Sequence, residues 1–276
     1  LLLNPDTVIE EDTLKKCITF MDERPDAGGL GVKMVDGKGI ILPESKRGLP
    51  TPETAFYKIT GLNKLFPSSK RINRYYLGHL SLDDTNEIEI LSGAFMFMRK
   101  KALDEIGLLD EDFFMYGEDI DLSYKIKKAG FQSYYYGALA AIHYKGESTL
   151  KDKTYAKRFY GAMQIFYKKH FKSNLVFDAL VFFGIQSARL FENKTSTEIL
   201  DFENYALISK TKNEALAIKL SKPLIQVLNA EEIKENTQII FDANTISFQT
   251  IIQKMETSEK NKNLSFKILP KNANFI

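Results

Sequence analysis

Hydrophobic and polar positions change period several times along the chain, and each change marks an element. Leu1-Leu2-Leu3 is an unbroken apolar run that empties into Asn4-Pro5-Asp6. Runs of this kind belong to buried parallel strands, so a strand ending in a turn is expected here. Residues 7–24 read as a helix with Ile9, Leu14, Ile18 and Met21 roughly on one face. A turn at 25–29 leads to a strand at 31–35. Asp36-Gly37-Lys38-Gly39 then reads as a hairpin turn into 40–42. Residues 87–98 alternate into a further strand, interrupted by the small residues Gly93 and Ala94. A helix is expected from Arg99 to Gly107. Another opens at Glu118, repeats Leu122, Ile126 and Ala129, and meets a stop at Gly130. A strand at 131–136 leads through 137–144 into a loop, and 154–171 returns to helical spacing.

Beyond Asn193 the rhythm changes. Strands are expected at 205–208, 224–228, 238–241 and 264–269, with helices at 211–220 and 246–257. That βαβ alternation predicts a small doubly wound domain. No glycine-rich phosphate loop follows its first strand, so nucleotide binding there has no support.

Composition narrows the picture only a little. The 276 residues are 44% hydrophobic, enough for one large core or two modest ones. A net charge of +2 gives no global field for nucleic acid. The single Cys17 permits no internal disulfide and reads as a core thiol rather than a nucleophile. Residues 43–86 are irregular, with four prolines and Lys46, Arg47, Lys70, Arg71 and Arg74 among aromatics. They read equally as an acceptor or lipid-phosphate surface and as a solvated connection. His79 falls here and reads as a surface histidine. Residues 145–172 carry eight basic groups against two acidic ones and precede the apolar stretch 175–183. A basic helix before an apolar amphipathic one suits a membrane surface, and a core helix would have the same letters.

The chemistry concentrates in Phe114-Met115-Tyr116-Gly117-Glu118-Asp119-Ile120-Asp121. Carboxylates in a first helical turn are stabilised as anions by the helix dipole, and one set after an aromatic loop can serve as a general base. An acidic first turn also simply caps a helix. Asp6, at the tip of a turn after a strand, suits a hard cation or a metal-bound phosphate, or else starts the following helix. His143 is a candidate metal ligand, and Lys145 and Ser148 are candidate phosphate partners. Gly93 and Ala94 permit close approach of a ligand or of a neighbouring backbone.

Taken in order, these segments resemble the inverting nucleotide-sugar glycosyltransferases of family 2, which have the GT-A fold. The rhamnosyl- and galactofuranosyltransferase-like members are the nearest in pattern. Asn4-Pro5-Asp6 stands where that family has an Asp-x-Asp metal motif. Residues 91–99 with 107–111 resemble its donor and acceptor segment, and 114–125 with 143–148 its catalytic-base and late metal-ligand segments. The resemblance covers about residues 1–170. It implies a GT-A-like mixed sheet flanked by helices and lacking its first strands, hence an N-terminal truncation that removes the nucleotide pocket. The organisation it implies is a catalytic domain at 1–150, a helical segment at 151–200 and a small, incomplete Rossmann-like α/β domain at 201–276.

The implied reaction moves a sugar from a nucleotide-diphospho-sugar to a polysaccharide or lipid-linked glycan acceptor, with inversion. By resemblance Asp119 is the base, with Glu118 one register away. Asp6 and His143 hold Mg²⁺ or Mn²⁺, while Asn4, Gly93, Ala94, Lys145 and Ser148 bind substrate. Asn4 replaces the first carboxylate of the metal motif by an uncharged amide. The setting implied is the cytoplasm, peripheral on the inner face of the membrane. Two other readings stay open: a truncated, non-catalytic binding or assembly module, and a metal-dependent phosphate-ester hydrolase using Asp6, Asp119 and His143.

Overall fold

The computed structural model describes residues 1–144, 153–171, 179, 202–211, 213–227, 233–258 and 263–273. Lys145, Ser148 and nearly all of the apolar stretch 175–183 lie outside the described residues.

The first part is a mixed sheet flanked by helices. Its strands are β1 (Leu2–Leu3), β2 (Thr7–Ile9), β3 (Ala27–Val35), β4 (Thr85–Ile88), β5 (Phe95–Met98) and β6 (Gln132–His143). Their order is β1-β5-β3-β6-β2, and β4 also pairs with β6. Only β3 and β6 run parallel; β1–β5, β3–β5, β4–β6 and β2–β6 are antiparallel. Helices α1 (Thr13–Glu23), α2 (Pro52–Ile59), α3 (Leu62–Leu65), α4 (Lys100–Ile106), α5 (Glu118–Lys128) and α6 (Lys153–His170) complete it. No described helix is long and apolar enough to cross a membrane.

Several expectations change. The opening apolar run is not a parallel strand covered on both faces. β1 is two residues long, antiparallel to β5 and at the end of the sheet, which leaves Leu1 and Leu3 exposed. The helix expected from residue 7 begins at Thr13, because Thr7–Ile9 pairs with Ala141–His143 instead. Its buried face is Thr13, Cys17, Phe20 and Met21, whereas Leu14 and Ile18 face solvent. The strand expected over 87–98 is two strands, β4 and β5, joined through a tight turn in which the Phe95 amide donates to the Ser92 carbonyl. The segment 43–86 is not simply a solvated connection: Lys46 and Arg47 point inward and are buried, while Lys70, Arg71 and Arg74 are exposed.

β3 explains how a helix comes so close to this sheet. All nine of its residues are buried, and three are glycines. A Cβ on Gly28 would lie 2.7 Å from Ile126 Cγ2, and one on Gly29 would lie 2.5 Å from Leu91 Cδ1. Without side chains there, α5 packs directly onto the strand backbone and its first turn reaches the end of the neighbouring strands.

The second sheet is β8-β7-β9-β10, formed by β7 (Asn204–Ile208), β8 (Leu224–Val227), β9 (Thr237–Asp242) and β10 (Ser265–Leu269), all parallel. Helices α7 (Glu214–Lys219) and α8 (Phe248–Thr257) lie between its strands in sequence. The expected βαβ rhythm is present. Val35, Ala140 and Ile142 of the first sheet share a core cluster with Ile239, Phe241, Ile251, Ile252 and Met255.

Candidate active site

Helix α5 begins where the backbone turns sharply. Tyr116 and Gly117 both have positive φ, +67° and +87°. A side chain at 117 would also meet the Phe113 ring at 3.0 Å and Ala162 at 3.1 Å, so glycine is required on two counts. The carbonyl of Gly117 accepts the first helical bond from the Asp121 amide. That places Glu118, Asp119 and Asp121 in the first turn, over the positive end of the helix dipole.

Asp119 is held at nearly every position of its carboxylate. Oδ2 accepts from Arg47 Nη2 at 2.5 Å and from the Gly93 amide at 3.1 Å, and Oδ1 accepts from the Ile120 amide at 2.8 Å. Its side chain retains 14% exposure, so one face is open. Ser123, fully buried, donates to the Asp119 carbonyl and accepts from the Leu91 amide, tying α5 to the chain just before the 92–95 turn. Glu118 lies beside it. Burial and the neighbouring Asp119 charge hold the Glu118 carboxyl above its ordinary value, and its Oε2 is buried without a hydrogen-bond partner.

The Gly93-Ala94 turn separates these carboxylates from the chain's first loop. A Cβ at 93 would lie 3.4 Å from Asp119 Cβ and 3.7 Å from Glu118 Oε1. On the other side, the Ala94 carbonyl accepts from the Asn4 amide at 3.1 Å. The Ala94 methyl itself is buried in the core with Leu30 and Phe95, so its backbone, not its side chain, faces Asn4. Asn4 is exposed, and its carbonyl closes the Asn4-Pro5-Asp6-Thr7 turn by accepting from Thr7.

Pairing of β2 with β6 sets Thr7 opposite His143 and brings Asp6 to the same place. His143 Nε2 lies 3.4 Å from Asp6 Oδ1. Both atoms can reach one ion at ligand lengths of about 2.0–2.6 Å; the carboxylate oxygen suits Mg²⁺ or Mn²⁺, and the imidazole nitrogen favours Mn²⁺ over Mg²⁺, which takes oxygen ligands. Among the described residues no group of three His, Cys, Asp or Glu side chains could hold a metal, so these two would need oxygens from a ligand or water to complete a shell.

The structure thus brings Asn4, Gly93, Ala94, Glu118 and Asp119 around one turn, and pairs His143 with Asp6, two residues beyond Asn4 in the chain. Arg47 is the member that reading the sequence missed. Its contact with Asp119 spans 72 positions of chain, and no local pattern announces it.

The mixed sheet flanked by helices, with its acidic helix start beside a glycine turn, defines a GT-A-like fold. The chain belongs to glycosyltransferase family 2: the family model "Glycosyltransferase like family 2" matches residues 1–159. It is 26% identical over 152 residues to an N-acetylglucosaminyl-diphospho-decaprenol L-rhamnosyltransferase of Mycobacterium tuberculosis, covering 55% of this chain and 48% of that protein. It is 28% identical over 145 residues to rhamnosyltransferase WbbL of Escherichia coli, covering 52% and 51%. A low-salt glycan biosynthesis hexosyltransferase, Agl10, of Haloferax volcanii is 24% identical over 143 residues, covering 52% and 41%. The matched part of this chain corresponds to about half the length of these relatives.

Proposed function

We propose that the protein transfers a sugar from a nucleotide-diphospho-sugar to a lipid-linked or polysaccharide glycan by single displacement with inversion. The observation that carries this is the Asp119 carboxylate, fixed at the head of α5 against the Gly93 turn with one face open. Asp119 takes the proton of an acceptor hydroxyl as that oxygen attacks the anomeric carbon. The bond from that carbon to the diphosphate oxygen breaks on the opposite face, and the released diphosphate keeps the electron pair. Gly93 leaves room for the sugar in front of the carboxylates. Asp6 and His143 would hold a Mg²⁺ or Mn²⁺, whose charge would offset that of a leaving diphosphate. Lys145 and Ser148, beyond the described residues, add donors to the same oxygens.

The loop leading to Glu118 supports a lipid-linked acceptor. Leu108, Leu109, Phe114 and Met115 are exposed there, and the Arg158 guanidinium lies 5.7 Å from the Phe114 ring centroid. An apolar loop with a cation beside it, next to the base, suits a polyprenyl-phosphate-like substrate and peripheral contact with the cytoplasmic face of a membrane.

The test is D119N in the complete enzyme. Turnover should be abolished while donor binding, followed by titration with the nucleotide-sugar, stays within about twofold of native. E118Q should retain turnover. Near-native rates for D119N would remove Asp119 from the mechanism, and loss in E118Q alone would transfer its role to Glu118.

A further inference from the structure

We infer that Arg47 is a positioning residue for the transfer reaction: its guanidinium locks one oxygen of Asp119 and so dedicates the other to the acceptor proton. The inference rests on Asp119 being the base.

Asymmetry of the carboxylate comes first. Oδ2 receives both Arg47 Nη2 and the Gly93 amide, a charged and a neutral donor at once. Among the described residues, Oδ1 receives only the Ile120 amide of its own helix. A proton arriving at Oδ2 would have to displace one of two built-in donors. One arriving at Oδ1 finds a free lone pair. The oxygen that does chemistry is therefore Oδ1.

Arg47 is itself fixed. The same Nη2 donates to the Leu91 carbonyl. Its backbone forms a bridge with Ile90, and its carbonyl accepts from the amides of Glu89 and Ile90. Glu89 in turn accepts from the Leu49 amide at 2.8 Å, and the Gly48 amide donates to the Tyr75 carbonyl at 2.9 Å. A side chain at Gly48 would run into the Arg74 carbonyl at 2.5 Å, so the strap can lie this close only with glycine there. The segment 46–49 is laced to the strand end from both sides, and a long flexible side chain becomes a rigid one. Burial works against the Arg47 charge, and Asp119 and Tyr75 more than restore it.

Among the described residues, Arg47 from the strap and Glu118 from its own helix are the charged groups set against Asp119. An Arg–carboxylate pair gives a fixed direction, which matters when a misplacement of about 1 Å can cost about a hundredfold in rate.

The experiment compares R47Q and R47K with native in the complete enzyme, measuring kcat, KM for the donor, and the melting temperature. R47Q removes the charge. R47K keeps it on a shorter ammonium that does not reproduce the one guanidinium nitrogen shared by Asp119 and the Leu91 carbonyl. We expect kcat to fall about a hundredfold in both, with KM for the donor within about twofold. A kcat within about twofold of native in both variants overturns the inference. So does a fall in kcat that comes with a raised KM for the donor and tracks a lowered melting temperature. If R47Q does not fold, R47K decides alone: kcat lowered at constant KM supports the role, and unchanged kcat refutes it. A D119N enzyme that still turns over would sink the base assignment and this inference together. An inactive D119N beside an unaffected R47Q would sink only the latter.

Discussion

Asp121 Oδ1 and His170 Nε2 lie 2.5 Å apart, joining the first turn of α5 to the last turn of α6. Asp121 has no exposed surface, and its second oxygen forms an ion pair with Lys125 Nζ at 2.7 Å. A buried carboxylate must keep its partners or bear the cost of being stranded. Tyr124 and Phe166 pack their rings at 4.7 Å and 5.0 Å from the imidazole, so the contact sits inside an aromatic cluster. H170A should therefore lower stability by about 1–3 kcal/mol in chemical denaturation. H170Q, which restores one donor, should recover part of it. Equal losses in both variants would show that ring packing, and not the hydrogen bond, holds α6 to α5.

Glu118 gives a pH-dependent signature. Burial first, and then the Asp119 charge, raises its carboxyl above the ordinary value, so the folded state prefers it protonated. The sign follows: the fold is penalised as pH rises through the range between the ordinary and the raised value, and the full penalty persists above that range. E118Q removes the ionisation. It should raise the melting temperature at neutral pH, and the gain should vanish at a pH below the ordinary carboxyl value. A gain that is the same at both pH values would mean that shape rather than charge decides.

Cys17 tests the core under α1. It has no exposed surface and packs with Phe20, Met21 and Leu30, and burial pushes its thiol up to about 12. The thiolate is the reactive form, so the native protein should resist a thiol reagent at pH 8 and titrate fully once denatured. Rapid native reaction would mean that α1 opens readily from the sheet.

Much of this was legible in the sequence, and the failures have physical causes. The head of α5 could be found because its signals are local: a glycine at the turn, carboxylates in the first turn, apolar residues every three or four positions. The strands and helices of the second sheet were legible for the same reason. Thr7–Ile9 misled because its alternative partner, Ala141–His143, is remote in the chain, and pairing overrode local helical spacing. Arg47 misled more deeply. A basic residue among prolines reads as surface, and only the bridge to Ile90 and the carboxylate of Asp119 bring it inside.

The two sheets meet through Glu11, which lies just beyond β2 and two residues before α1. Its carboxylate accepts from the amides of Phe248 and Gln249 at 2.7 Å and 3.2 Å, satisfying two of the free donors at the start of α8. Nearby, the buried Lys33 of β3 pairs with Glu256 of α8 at 2.5 Å and with Asp83 at 2.8 Å. Desolvation raises the Glu11 carboxyl, and the backbone amides outweigh it, so the net direction is downward. The contribution is thus present above the ordinary carboxyl value and is lost as pH falls through the lowered one. E11Q keeps an acceptor oxygen without the charge, and E11A removes both. At neutral pH, E11A should cost about 0.5–2 kcal/mol, the scale of a lost helix cap, and E11Q less. Hydrogen exchange should then quicken in the first turn of α8 before it does in α5. If E11A instead quickens exchange equally in both helices, the two sheets unfold as one unit and Glu11 is not a separable hinge between them.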